Sequence, residues 1–245
     1  MSVLGMLAWF AAAVSLWLGA RRYDGAVGRA YRWLAAGAAL YCAGLVLQGI
    51  LGGTLNPATG LSFTDLPPLL ALTAVAVGIA MLATAERGGG GRPGRPDAPD
   101  AAEGPAGFRD SVLPGLADGY VMAVALLVIG WVTLFGGEFH RSGDRPGAFL
   151  LALIHPLADL AVLGALLPMV TTAWRRVTLP YLAVVAITIG DALAVGQRVS
   201  GGHLGVAAQL MPVVAALLLG LAPWRVPEAY GSSWTRRTTG SAASV

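Results

Sequence analysis

The sequence predicts an all-α, polytopic membrane protein with seven transmembrane helices, the N-terminus outside and the C-terminus cytoplasmic. Three observations predict it. The chain is 56% hydrophobic and only 12% charged, whereas a soluble domain is about 25% charged. Its apolar residues gather in seven runs of the length, about 20 residues, that crosses the hydrocarbon layer as a helix. All 16 basic residues are arginine, and threading the runs in order from outside leaves all but Arg141, Arg145 and Arg198 on the inner side. Arginine near the ends of short loops resists translocation, so this bias sets orientation.

The first run, Val3–Ala20, ends at Arg21 and Arg22. No basic residue precedes it, so it reads as a first helix with a stop-transfer end rather than a cleaved signal segment. A basic inner loop, Arg21–Ala30, leads to helix 2, Tyr31–Leu51. Turn formers fill Gly52–Asp65, and Asp65 stands as N-cap of helix 3, Leu66–Thr84. Pro67 and Pro68 fall in the first turn of that helix, where a missing N–H does no harm.

Residues 85–112 are rich in Gly, Pro and acidic residues and read as a disordered cytoplasmic linker. It divides helices 1–3 (residues 1–84) from helices 4–7 (residues 113–222). Helix 4 is Leu113–Phe135, followed by a polar outer loop, Gly136–Pro146. Helix 5 is Gly147–Val170, and an inner loop, Thr171–Thr178, precedes helix 6, Leu179–Gln197. An outer turn, Arg198–His203, leads to helix 7, Leu204–Ala222, and residues 223–245 form a flexible cytoplasmic tail. Trp17, Trp33, Trp174 and Trp224 fall at inner boundaries and Trp131 at the outer one, as aromatic belts do. Ala39 and Ala43 on helix 2, and Ala76, Ala80 and Thr84 on helix 3, have the four-residue spacing that lets helices approach closely.

A charged side chain at the bilayer centre costs about 2.5–3.5 kcal/mol on insertion scales, so each one needs a reason. The deep ionisable residues are Asp118, His155, Asp159 and Asp191, with Gln48 and Gln209 as polar companions. His155 and Asp159 are four apart and share a helix face. At about 1.5 Å per residue, His155 lies roughly 12 Å below the outer end of helix 5, and Asp159 near the midplane. Asp191 and Gln209 lie roughly 8–10 Å below the outer ends of their helices, and Asp118 roughly 8 Å from the inner surface. The predicted ligand- or proton-sensing set is therefore His155, Asp159, Asp191 and Gln209. Helix-to-helix polar contact and catalysis are the competing uses of the same residues. Pro156, Pro168 and Pro212 are expected to bend helices 5 and 7. Asp118 reads as a structural or snorkelling residue, and His140 and His203 as solvated loop residues.

Several classes are excluded. The net charge of +3 reflects membrane topology, not nucleic-acid binding. The single cysteine, Cys42, permits no disulfide framework or zinc spacing. No phosphate-binding loop, HExxH or GxSxG occurs. Without lysine there is no retinal Schiff base, and no matched pair of interrupted helices suggests an inverted-repeat transporter. No cofactor or metal is expected.

Four segments carry a resemblance. Leu61–Leu72 (LSFTDLPPLLAL) resembles a Pro-Ser-x-x-Asp helix start, and Leu116–Trp131 (LADGYVMAVALLVIGW) an Asp-Gly helix ending in Trp. Ile154–Leu167 (IHPLADLAVLGALL) resembles a Tyr-Pro-Leu-x-Asp-Leu helix with His155 in the tyrosine position, and Ile187–Gln197 (ITIGDALAVGQ) an Ala-Asp helix end. Together, over Tyr31 to Ala222, they resemble the multi-pass N-terminal membrane module of actinobacterial GGDEF/EAL and histidine-kinase signalling proteins. On that resemblance Asp65, Asp118, Asp159 and Asp191 fall on recurring acidic positions. It implies a sensory module, here without the catalytic domain.

The function expected is an integral-membrane sensory and signal-transduction module of the plasma membrane. Its expected partners are the bilayer, a cytoplasmic signalling protein and a small lipophilic ligand. The alternative is a small membrane enzyme, terpene-cyclase-like, that uses Asp159 and Asp191 as catalytic acids on a lipid or isoprenoid. Such chemistry needs aromatic rings near the acids to stabilise cations. Helices 5 and 6 offer only Phe149 and Tyr181, near helix ends, which counts against it.

Overall fold

The computed structural model describes residues 3–51, 66–88, 105–136, 153–199 and 205–225. Among these every regular element is helical: α1 (Val3–Arg22), α2 (Gly25–Leu51), α3 (Leu66–Gly88), α4 (Pro105–Gly130), α5 (Ile154–Thr172), α6 (Trp174–Val199) and α7 (Val206–Leu221). A π-helical turn, Trp131–Phe135, continues α4, and a 3₁₀ turn, Ala222–Trp224, closes α7. Six of the helices are long and apolar enough to cross a membrane; α4 carries a shorter apolar stretch, Ala117–Thr133. Asp65, His140, His203, residues 89–104 of the expected linker, most of the expected outer loops and the tail from residue 226 lie outside the described residues.

The helices run past their apolar runs at the end of the bundle that carries Arg21 and Arg22. The expected loop Arg21–Ala30 is a two-residue turn, Tyr23–Asp24, and α2 already begins at Gly25, so Arg29 and Arg32 stand on its first two turns. Gly25 makes this turn possible with φ +69°, a conformation that other residues adopt at a steric penalty. The expected loop Thr171–Thr178 reduces to Ala173 between α5 and α6. Arginine stems lie along a helix end while the guanidinium reaches water, so a helix need not stop where its apolar run does. At the linker, α3 runs on to Gly88 and α4 starts at Pro105, both inside the span read as structureless. Pro156 is in the first turn of α5 as described, and Pro168, Pro180 and Pro212 are the interior prolines of α5, α6 and α7.

Helix α1 belongs to the bundle. It packs between α2 and α7, and α2 packs on α3. Helix α3 meets both α5 and α6, α6 meets α7, and α4 lies outside on α5. One apolar core joins the six helices other than α4, with Leu16, Leu34, Ile79, Val170, Val184 and Leu219 all shielded. Close approach is set by glycine. A side chain on Gly164 of α5 would overlap the backbone of Ala123 on α4, and one on Gly37 of α2 would meet Val75 and the Ala71 carbonyl of α3. The small residues expected to mediate α2 packing, Ala39 and Ala43, instead line an open groove shared with Phe10 and Ala13 of α1.

The end of the bundle that carries Arg21 and Arg22 is fastened by hydrogen bonds to the end of α7 and the 3₁₀ turn after it. The last carbonyls of a helix have no partner within it, and here side chains of α1, of α2 and of the turn between them supply them. Ser15 Oγ donates to the Gly220 carbonyl (2.7 Å), Tyr23 Oη to that of Pro223 (3.0 Å) and Tyr31 Oη to that of Ala222 (3.3 Å). Trp224 Nε1 in turn donates to Ser15 Oγ at 2.8 Å. The guanidinium of Arg21 lies over Trp17 and that of Arg22 over Trp224. Trp17, Trp33, Trp174 and Trp224 are all exposed on the outside of the bundle, as interfacial tryptophans are.

Candidate functional site

The opposite half of the bundle holds a small, mostly apolar cavity at which His155, Asp159 and Asp191 meet. The start of α5 brings His155 and Asp159 to it, one helical turn apart on the same face. Asp191 comes from the later half of α6, beside Ile187. Trp9 of α1 and Gly37 and Tyr41 of α2 form the facing wall, and the first turns of α3, from Pro68 to Val75, close the side. The space open to the centre of a water-sized sphere is about 20 Å³. One such sphere needs about 10–15 Å³, so there is room for one water and little more.

Asp159 is the most deeply buried charged residue described, 3% exposed. Its carboxyl is hydrogen-bonded to that of Asp191. The second oxygen of Asp159, Oδ2, has no protein partner, and neither does Nε1 of Trp9, which is 1% exposed. The Trp9 and Tyr41 rings stack with centroids 4.2 Å apart and planes inclined by 25°. Tyr41 lines the same cavity as both carboxyls. Two further side-chain contacts tie helices together: Cys42 Sγ donates to the Met6 carbonyl at 3.6 Å, joining α2 to α1, and Tyr181 Oη to that of Leu163 at 3.3 Å, joining α6 to α5.

Three of the four residues expected from sequence, His155, Asp159 and Asp191, share this cavity. Gln209 does not: it lies on the exposed side of α7, away from the cavity. Depth along a helix can be counted from sequence, but rotation cannot. Gln209 follows Ala208, whose row with Ala215 and Leu219 is buried, and one residue turns the side chain by about 100°. Asp118 likewise faces outward on α4. No three His, Cys, Asp or Glu side chains converge as metal ligands among the described residues.

Sequence reading missed Trp9 and Tyr41. On sequence the aromatic rings nearest the acids are Phe149 and Tyr181, whereas in the structure Trp9 and Tyr41 arrive from α1 and α2, more than 100 positions earlier in the chain. Their only sequence signal was position: Trp9 and Tyr41 sit well inside apolar runs, where interfacial aromatics do not belong.

No family model, curated protein or solved structure matches the chain.

Proposed function

We propose that the protein is a seven-helix membrane sensory module of the plasma membrane, N-terminus outside, which passes a cue to a cytoplasmic signalling partner. The observation that carries this reading is Asp159. A buried carboxyl paired with a second carboxyl, with one oxygen unpartnered, is a costly arrangement for a purely structural contact. It stands at a cavity walled by α1, α2, α3, α5 and α6, so a change in its protonation or hydrogen bonding acts on five helices at once. In the orientation set by the arginines this cavity faces the outer half, and the fastened end with Arg21, Arg22, Arg29 and Arg32 faces the cytoplasm. A cue would need to favour one of two helix arrangements of similar energy. The interior prolines Pro168, Pro180 and Pro212 lie in the three helices, α5 to α7, that would move. The resemblance to modules that precede cyclic-di-GMP enzymes and histidine kinases supports the same direction of signalling.

A second reading keeps the enzyme, because Trp9 and Tyr41 place aromatic rings beside Asp159 and Asp191 after all. The size of the cavity opposes it, since an isoprenoid needs many times the room of one water.

Native mass spectrometry of the protein, drawn gently from its own membranes, separates the two. A co-purifying kinase or cyclic-nucleotide enzyme, joined to the chain or bound to it, supports the sensor. A lone 25.0 kDa species carrying an isoprenoid sinks it in favour of Asp159 and Asp191 as catalytic acids.

A further inference from the structure

Four exposed tryptophans, Trp17, Trp33, Trp174 and Trp224, mark the headgroup level at the end of the bundle that carries Arg21 and Arg22. Two guanidinium groups are held at that level. Arg21 Cζ lies 5.6 Å from the centroid of the Trp17 ring, and Arg22 Cζ 5.9 Å from that of Trp224. Trp224 is itself fixed by its hydrogen bond to Ser15, 2.8 Å long, so the turn after α7 helps to place an arginine of α1. Arg225 follows Trp224 and is exposed. Along α1, α2, α6, the end of α7 and the turn from α1 to α2, this rim presents six exposed arginines among the described residues. They are Arg21, Arg22, Arg29, Arg32, Arg175 and Arg225, and they stand against one acidic side chain, Asp24.

The shape of the rim identifies a partner of opposite charge. Its turns are short: Tyr23–Asp24 joins α1 to α2, and Ala173 joins α5 to α6. Neither is long enough to project into water and grip a soluble protein. Away from the rim the arginines give way to exposed apolar side chains. Leu18 and Val14 of α1 lie about 6 and 12 Å from Arg22 along the helix, and α7 adds Leu221 and Leu217. Half of the hydrocarbon layer is about 15 Å thick, so cation followed by apolar side chain matches one lipid of one leaflet, phosphate followed by acyl chain.

We propose that this rim is a docking surface for anionic phospholipids, which it selects over zwitterionic ones in the leaflet that meets it. Guanidinium matches phosphate geometry, and stacking on tryptophan restricts Arg21 and Arg22, so less freedom is lost when a headgroup binds. A zwitterionic headgroup brings its own cation beside the phosphate, which the excess of arginine repels. A headgroup of net negative charge does not. This surface rests on the membrane reading alone and is independent of whether the protein signals.

The test places the full chain in phosphatidylcholine vesicles with spin-labelled phosphatidylglycerol or spin-labelled phosphatidylcholine. The motionally restricted fraction of each label gives their relative association with the protein. At low salt the anionic label should associate more strongly by about fivefold, the effect of one arginine near an anionic surface. The preference should fall toward one in 1 M salt, where the screening length is about 3 Å. Arg21→Gln, Arg22→Gln and Arg225→Gln combined should remove most of it, and the same three positions changed to lysine should keep it. An unchanged helical circular dichroism spectrum shows that each variant is folded; should the glutamine variant fail that check, the salt series on the native protein decides. Equal association of the two labels at low salt overturns the proposal, as does a preference that salt leaves unchanged or that survives in a folded glutamine variant. Equal association accompanied by binding of soluble polyglutamate to the vesicles also overturns it and assigns the rim to an acidic protein.

Discussion

His155, Asp159 and Asp191 stand out in the sequence because a charge within an apolar run has few bland explanations, and all three meet at one cavity. Trp9 and Tyr41 did not stand out because a ring in an apolar helix is compositionally ordinary. What makes them matter is an unpartnered indole N–H and a stacked geometry, both of which exist only after α1 and α2 are packed. Gly37 is legible in neither sense, yet it sets the width of the site. A methyl there would press on Val75 Cγ2 at 2.7 Å and on the Ala71 carbonyl at 3.0 Å. Gly37→Ala should therefore destabilise the protein by about 1–3 kcal/mol through overpacking, read as a lower Tm in detergent. Gly25→Ala tests the backbone instead. Space is open around it, so only the positive φ opposes a side chain, and a loss of about 1–2 kcal/mol is expected from the same measurement.

Among elements, helix existence was legible and helix length was not. Runs of apolar residues mark the part of a helix inside the hydrocarbon, whereas α2 begins six residues before its run and takes in Arg29, and α3 and α4 reach into the polar stretch between them. The pairing of elements was even less legible, since glycine contacts such as Gly164 on Ala123 require knowing which helices are neighbours. Gly164→Leu should separate α4 from α5 while leaving the remaining core intact; accelerated proteolysis within residues 105–136, with α1 and α7 still protected, would show it. The fastening of α7 is testable by Tyr31→Phe. Tyr31 is fully buried, and the variant strips the Ala222 carbonyl of its donor. Interhelical hydrogen bonds in membranes average about 0.6 kcal/mol with a maximum near 1.7, so a drop in that range is expected in reversible denaturation.

For the whole molecule, the arginine distribution makes a prediction that the fold alone does not. With Cys42 replaced by alanine, Ser2→Cys should react with a membrane-impermeant maleimide on intact cells, and Ser244→Cys only after lysis. The reverse pattern would invert the assignment of the cavity to the outer half. The two-unit division expected from the linker also meets a physical counterweight at this scale: α3 packs on α5 and α6, and a single core crosses the division.

The hydrogen bonds between α1 and the end of α7 span 205 positions of the chain. A ribosome adds about 5–20 residues per second, so the first helix enters the bilayer roughly 10–40 s before the helix that completes its surroundings. Through that interval Ser15 lacks its carbonyl, the small face of α1 lacks its neighbour, and only α2 is at hand. The bundle is thus closed by α7, and the small face of α1 stays open until α7 has been made and inserted.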